Sequence, residues 1–500
     1  MTKQVAGAAD VHERVATGKS EHVDVEIGAG KVRGRRESGV STFSAVPYAA
    51  APVGPRRFKP PEPLEPWTGV REATGPAVVC PQSPSRLRFA MGDFTAVHDE
   101  DCLRVTVWTP AADAARRPVL VWLHGGAYMS GGGALDWYSG ETLAREGDLV
   151  VVGVNYRIGA LGFLYHPDLC PGNLGLLDQQ AALAWVHANI AAFGGDPDRI
   201  TVCGQSAGAQ STLFLLMQPK SRALFQRAIL QSTPFGHLPR EPDEMAANAE
   251  ALLRELGVEP SAAREQLSAL PVDALLAAQS TIAQKVAKDT QRGGLPMPAF
   301  TPLGDGRLVP SRQHYQAALD DIAARADIMI GTTREEMAVF FASNPAIQEM
   351  QRPPLPQDEI DRLQARRPGG SASELFADHV GAKVFVEGTL AFAERAATAG
   401  RQVFVYQFDW QSPDRRLKSC HCLELPFVFG TRAAFADAPM LANADAHQID
   451  ALSAAMRAAW IAFVRDGNPN VAAVPAWPAF DAQRRAVMHF GEICGACGAA

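Results

Sequence analysis

Short, almost wholly apolar runs recur along the chain: Val119-Leu120-Val121-Trp122-Leu123, Leu149-Val150-Val151-Val152-Gly153-Val154, Ala228-Ile229-Leu230 and Ile328-Met329-Ile330. Runs this short, without polar alternation, predict strands buried on both faces. Between them, Gln179 to Val186 and Ala209 to Leu216 carry helical patterns. Strands alternating with helices predict an α/β fold whose mostly parallel sheet is covered on both sides. Residues 23–36 read differently, because apolar and polar positions alternate on either side of Gly28-Ala29-Gly30. That is the signature of a hairpin, so a small antiparallel sheet is expected at the N-terminus.

Residues 238–300 are rich in Ala and Glu at helical spacing, and residues 341–400 include Pro353-Pro354, Pro356 and Gly369-Gly370. Both stretches predict insertions at the mouth of the sheet, where lids and substrate walls are built. The expected organisation is one catalytic domain over 21–490, with a flexible segment at 1–20 and a mobile tail at 491–500. No internal repeat interrupts it.

Composition narrows the class. In 500 residues, 47% are hydrophobic and 20% charged, values that permit a large buried core and exclude disorder for most of the chain. A net charge of -7 and an isoelectric point near 6.0 give no basic footprint for nucleic acid or an anionic membrane. The first ten residues hold no continuous apolar stretch, and nowhere do eighteen apolar residues run together. A cytoplasmic, monomeric protein acting on a small molecule is expected. Eight cysteines in this length are too few for a disulfide scaffold.

Candidate chemistry centres on Gly204-Gln205-Ser206-Ala207-Gly208, which follows the apolar run ending at Cys203 and precedes the helix from Ala209. A strand, a sharp turn and a helix raise the serine Oγ above the sheet, and the glycines let the backbone pass. A serine hydroxyl needs a base, and the base needs an acid to fix its tautomer; on this architecture the order is serine, acid, histidine. His379, His421, His447 and His489 come late enough. His421 stands out, within Cys420-His421-Cys422-Leu423-Glu424-Leu425-Pro426, on a loop beyond the run Val403 to Tyr406. For the acid, Glu335 and Glu336 directly follow Asp327 to Ile330, at the strand end where catalytic groups gather. Both could equally be solvated acids at a helix N-terminus. Donors for an oxyanion are expected in His124-Gly125-Gly126-Ala127, beyond the strand ending at Leu123, and at Ala207. His124 itself reads as a packing residue.

Ordered matches then cover nearly the whole chain. They include Phe43 to Ala49, Glu100-Asp101-Cys102-Leu103, Asn155-Tyr156-Arg157, Gly172 to Gln179, Phe193 to Pro197 and the serine pentapeptide. Together they resemble the type-B carboxylesterase family, which has the α/β-hydrolase fold and includes cholinesterases and bacterial para-nitrobenzyl esterases. The resemblance implies Ser206 as nucleophile, His421 as base and Glu336 as acid. It also implies Gly126, Ala127 and Ala207 as oxyanion donors, and Cys80 with Cys102 as a possible disulfide. The implied activity is cofactor-free hydrolysis of carboxylic esters through an acyl-enzyme.

Departures from the family pattern refine this. Gln205 stands where glutamate is usual, which removes a negative charge beside the triad and weakens attraction of cations. The Cys80 to Cys102 loop contains Phe89 and Phe94 but no tryptophan, which argues against choline esters. Small uncharged esters, short-chain or aryl, are therefore expected. Met337 and Thr233 replace common glycines, and local repacking should follow. A carbamate or amide hydrolase with the same triad is the alternative, and a non-catalytic binding protein a remote one. Cys420, Cys422, Cys494 and Cys497 could suggest zinc, but a metal on His421 would abolish its work as a base, so no metal is expected.

Overall fold

The computed structural model describes residues 21–290, 298–343 and 354–498; the segment 1–20, expected to be flexible, lies outside them. Twelve strands line up across one sheet: β1 (Glu21–Ile27), β2 (Gly30–Glu37), β3 (Val40–Pro47), β4 (Arg104–Thr109), β5 (Arg117–Leu123), β6 (Val150–Val154), β7 (Gly195–Gln205), β8 (Arg227–Gln231), β9 (Asp327–Thr333), β10 (Val403–Phe408), β11 (Ala486–Phe490) and β12 (Gly495–Gly498). Their spatial order is β1-β2-β3-β4-β6-β5-β7-β8-β9-β10-β11-β12, and a thirteenth strand, Val70–Glu72, pairs with β2. From β6 through β11 all neighbours are parallel. The N-terminal hairpin, with Val25 opposite Val32, forms the antiparallel end of this same sheet. At the other edge, Gly495–Gly498 pairs antiparallel with β11, so part of the expected mobile tail is an edge strand.

The apolar runs become central strands because each side of the sheet is a core. Side chains alternate across a strand. Accordingly Val119, Val121 and Leu123 join one hydrophobic cluster and Leu120 and Trp122 the other. Val150 and Val152 against Val151, and Ile328 and Ile330 against Met329, divide in the same way. The first cluster is covered by α1 (Leu174–Asn189) and α2 (Ala207–Met217), through Leu174, Leu183, Val186, Leu213 and Leu216. The 238–300 stretch contributes α3 (Pro242–Leu256) and α4 (Val272–Thr290), and α5 (Ala338–Ser343) follows β9. The second cluster is covered by α6 (Ala446–Asp466), through Met456, Trp460 and Phe463. Each such side chain contributes about 1.5–3 kcal/mol when buried. Among the described residues, no helix is long and apolar enough to cross a membrane.

Candidate active site

β7 ends at Gln205 and α2 begins at Ala207, leaving Ser206 alone in the turn at φ 56° and ψ -120°. This conformation is strained for a residue with a Cβ. Two features hold it. The Ser206 N–H donates to the Gln231 carbonyl on β8 at 2.8 Å. Gly204 and Gly208 also pass so closely that a Cβ on Gly204 would lie 2.3 Å from the Gly208 carbonyl carbon.

The loop after β5 approaches the same point. Gly126 has φ +111°, and a Cβ there would meet the Ser130 carbonyl oxygen at 2.0 Å, so only glycine fits. Ala127 and Tyr128 also have positive φ, 55° and 59°. Neighbours over-determine this loop: Tyr156 Oη donates to the His124 carbonyl at 2.7 Å, and Gly159 N–H donates to the Tyr128 carbonyl at 2.6 Å. Arg157, beside Tyr156, forms a fully buried pair with Asp178 of α1 at 2.6 Å. Among the described residues, the N–H groups of Gly126, Ala127 and Ala207 are spent on no protein acceptor. His124 stacks on Tyr156 at 4.3 Å, and burial pulls its imidazole down to about 4, so it is a neutral packing group.

At the end of β9 the two adjacent glutamates part. Glu336 turns inward: Oε1 accepts from the Thr333 N–H at 2.8 Å and Oε2 meets His421 Nδ1 at 2.5 Å. Glu335 turns the other way, accepting from Arg367 at 3.0 Å, from Gln411 at 3.0 Å and from the Ser419 N–H at 3.2 Å. Its own N–H donates to the Ser419 carbonyl at 2.9 Å, which ties β9 to the loop carrying His421. Burial pulls the His421 imidazole down, while the Cys422 sulfur and the Glu336 carboxylate push it up, and the net direction is well above the usual histidine range. Because burial raises the Cys422 thiol and keeps it protonated, Glu336 is the charge that counts.

Ser206, Ala127, Ala207 and His421 line one cavity of about 500 Å³. Leu238, Ala283, Gln284, Val384 and Phe385 are among its other lining residues, with Phe214, Met337 and Phe340. Met337, one of the departures from the family pattern, fills part of that wall, packed beside Phe385 and Phe341.

A profile of the carboxylesterase family matches residues 19–367 and 357–494. The chain belongs to the carboxylesterase family. It is 38% identical over 482 residues to the phenmedipham hydrolase of Pseudarthrobacter oxydans, covering 93% of this chain and 94% of that one. To the para-nitrobenzyl esterase of Bacillus subtilis it is 35% identical over 479 residues, with 93% and 94% covered. A solved carboxylesterase from Geobacillus stearothermophilus superposes with a TM-score of 0.83 at 37% identity, covering 95% of this chain and 97% of that one. The α/β-hydrolase fold and the ester-hydrolase class follow.

Within this carboxylesterase, the other candidate histidines lie apart from Ser206. His379 pairs with Glu359 at 2.8 Å and His489 with Asp409 at 2.5 Å, while His447 is exposed at the start of α6. Cys80 and Cys102, the possible disulfide, are buried free thiols in side-chain contact with each other. Among the described residues, no group of three or more His, Cys, Asp or Glu is arranged around a metal position. Reasoning from the sequence missed three features. Gln205 Nε2 lies 3.2 Å from His421 Nε2 and donates to the Cys422 sulfur at 3.2 Å. Glu424 is fully buried behind the triad, accepting from Gln231 at 3.2 Å, and burial lifts its carboxyl to about 7. Arg86 lines the Ser206 cavity, with nothing in its sequence surroundings to mark it.

Proposed function

We propose that this carboxylesterase hydrolyses small uncharged esters, short-chain or aryl, with Ser206 as nucleophile, His421 as base, Glu336 as acid, and the N–H groups of Gly126, Ala127 and Ala207 as oxyanion donors. The observation that carries it is that Ser206, at its strained turn, and His421, bonded to Glu336, line one cavity. A histidine whose Nδ1–H donates to Glu336 presents an unprotonated Nε2, the form that removes the serine proton. Ser206 Oγ then bonds to the ester carbonyl carbon, and the oxygen takes negative charge that three unspent N–H groups can stabilise. The imidazolium returns its proton to the leaving alcohol, and water repeats the sequence on the acyl-enzyme. No cofactor enters these steps.

The reading includes a single catalytic domain over 21–490, walled by 238–300 and 341–400, acting as a cytoplasmic monomer. Eight free cysteines accord with a reducing compartment, in which Cys80 and Cys102 stay thiols.

The test is pre-steady-state hydrolysis of a short-chain para-nitrophenyl ester, with mass spectrometry after an organophosphate. A burst of one equivalent and modification of Ser206 are expected. Neither turnover nor labelling would overturn the assignment. One relative is named for phenmedipham rather than for an ester, so a carbamate and an amide matched to the same ester belong in the assay. A higher kcat/KM on either would move the protein to the alternative, a carbamate or amide hydrolase on the same triad.

A further inference from the structure

The cavity holding Ser206 is charged very unevenly. Its lining includes apolar side chains such as Phe214, Phe340 and Phe385, a few neutral polar groups and, among the described residues, no aspartate, glutamate or lysine. Burial holds the His237 imidazole there down to about 4, so it is neutral at physiological pH. Among the described residues, the charged side chains lining it are the Arg86 guanidinium and, below its raised pKa, the His421 imidazolium, both positive.

Most arginines among the described residues have a carboxylate or carbonyl partner, whereas Arg86, like Arg88, Arg307 and Arg415, has neither. No neighbouring charge and no hydrogen bond acts on it among the described residues. The Arg86 side chain is exposed to solvent on the wall of this cleft. Its charge, with those of Arg240 and His421, adds to the burial that holds His237 down. A guanidinium offers five donors in a planar fork that matches a carboxylate, and such charge-assisted pairs are the stronger hydrogen bonds. Here the fork is unfilled, and the chamber that contains it also contains the nucleophile.

We propose that Arg86 is a specificity-determining residue that receives a carboxylate of the substrate, so that esters bearing a carboxylate away from the scissile bond are substrates of this enzyme. The inference rests on Ser206 as nucleophile and widens its substrate class from uncharged to anionic esters. It also sharpens the role of Gln205: the wall beside the triad lacks the anion that would attract cations, and the chamber beyond supplies the opposite preference.

Two matched substrate pairs test it. para-Butyryloxybenzoate against para-butyryloxybenzamide places the charge on the alcohol side; the mono-para-nitrophenyl ester of adipic acid against that of adipamic acid places it on the acyl side. In at least one pair, the anion-to-neutral ratio of kcat/KM should fall about tenfold in Arg86→Gln, the scale of one charge-assisted pair. Arg86→Lys should restore part of it, and added salt should lower the wild-type ratio. An unchanged ratio in both pairs overturns the proposal. Calorimetric binding of the benzoate and benzamide to Ser206→Ala separates this from the catalytic assignment. Tighter binding of the benzoate, lost in Ser206→Ala/Arg86→Gln, supports Arg86 even if neither ester turns over; equal affinities together with an unchanged acyl-side ratio overturn it.

Discussion

Two histidine–carboxylate pairs lie near the C-terminal ends of neighbouring strands, and they differ only in what surrounds them. His421 meets Glu336 at 2.5 Å and His489 meets Asp409 at 2.5 Å, in both cases through Nδ1. The first pair is sealed, with side chains 2% and 1% exposed, and opens through His421 onto the Ser206 cavity. The second is 28% and 17% exposed and borders a charged cavity of about 630 Å³, lined also by Arg334, Glu335, Asp378 and by Glu336 of the first pair. The His489 side chain has no other hydrogen bond among the described residues. A paired imidazole is thus common, and a nucleophile within its chamber is what distinguishes a candidate base.

The comparison breaks most sharply by mutation of the two acids. Glu336→Gln should lower kcat by about 10³–10⁴-fold by losing the tautomer lock. Asp409→Asn should leave kcat within about twofold, since nothing in the first chamber touches it. Steady-state kinetics on a para-nitrophenyl ester reads both, and comparable losses would reassign the pair. Next in size, Gly126→Ala should lower kcat by about 10²–10³-fold, because its Cβ must displace the donor loop from the Ser130 carbonyl. A variant that folds with full kcat would remove Gly126 from the oxyanion site.

Gln205→Glu sharpens the role of charge. A carboxylate beside His421 Nε2 stabilises the imidazolium, so more base is needed to free the imidazole. The acid limb of kcat/KM should move up by about one pH unit. A fixed limb would mean that this histidine does not titrate in the rate. Glu335→Gln should keep kcat within about tenfold while lowering stability by about 1–3 kcal/mol, since Arg367 and the Ser419 N–H lose a charged acceptor; thermal melting reads it.

A further effect, on stability alone, concerns Glu424. Its folded carboxyl titrates at about 7 against an ordinary 4.5, so between those values the native state holds a proton that the unfolded chain has released. Stability is therefore greatest below about pH 4.5 on this account and is lost as pH rises through 7, by on the order of 3 kcal/mol. Glu424→Gln should flatten that fall in denaturation curves taken across the window.

Much of this was legible in one dimension. The apolar runs at 119–123, 149–154 and 328–330 are strands because two cores demand apolar groups on both faces, and that demand is written locally. The turn at Ser206 was legible for the same reason: its glycines are required by backbone contacts within a few residues. The order of strands was not, since it depends on which edges meet after folding. Nor could periodicity separate Glu335 from Glu336. They are neighbours with the same side chain, and only the position of the His421 loop turns one inward and the other toward Arg367.

The sequence by itself thus determined the secondary elements, the family and the strained serine, all consequences of local sterics and burial pattern. Tertiary structure alone decided which of several paired histidines shares a chamber with that serine. It also decided that Gln205 faces the imidazole and that Arg86, 120 positions before Ser206 in the chain, stands unpaired in the same cavity. Electrostatics acts through space, so partners remote in sequence meet only once the sheet has brought its loops together.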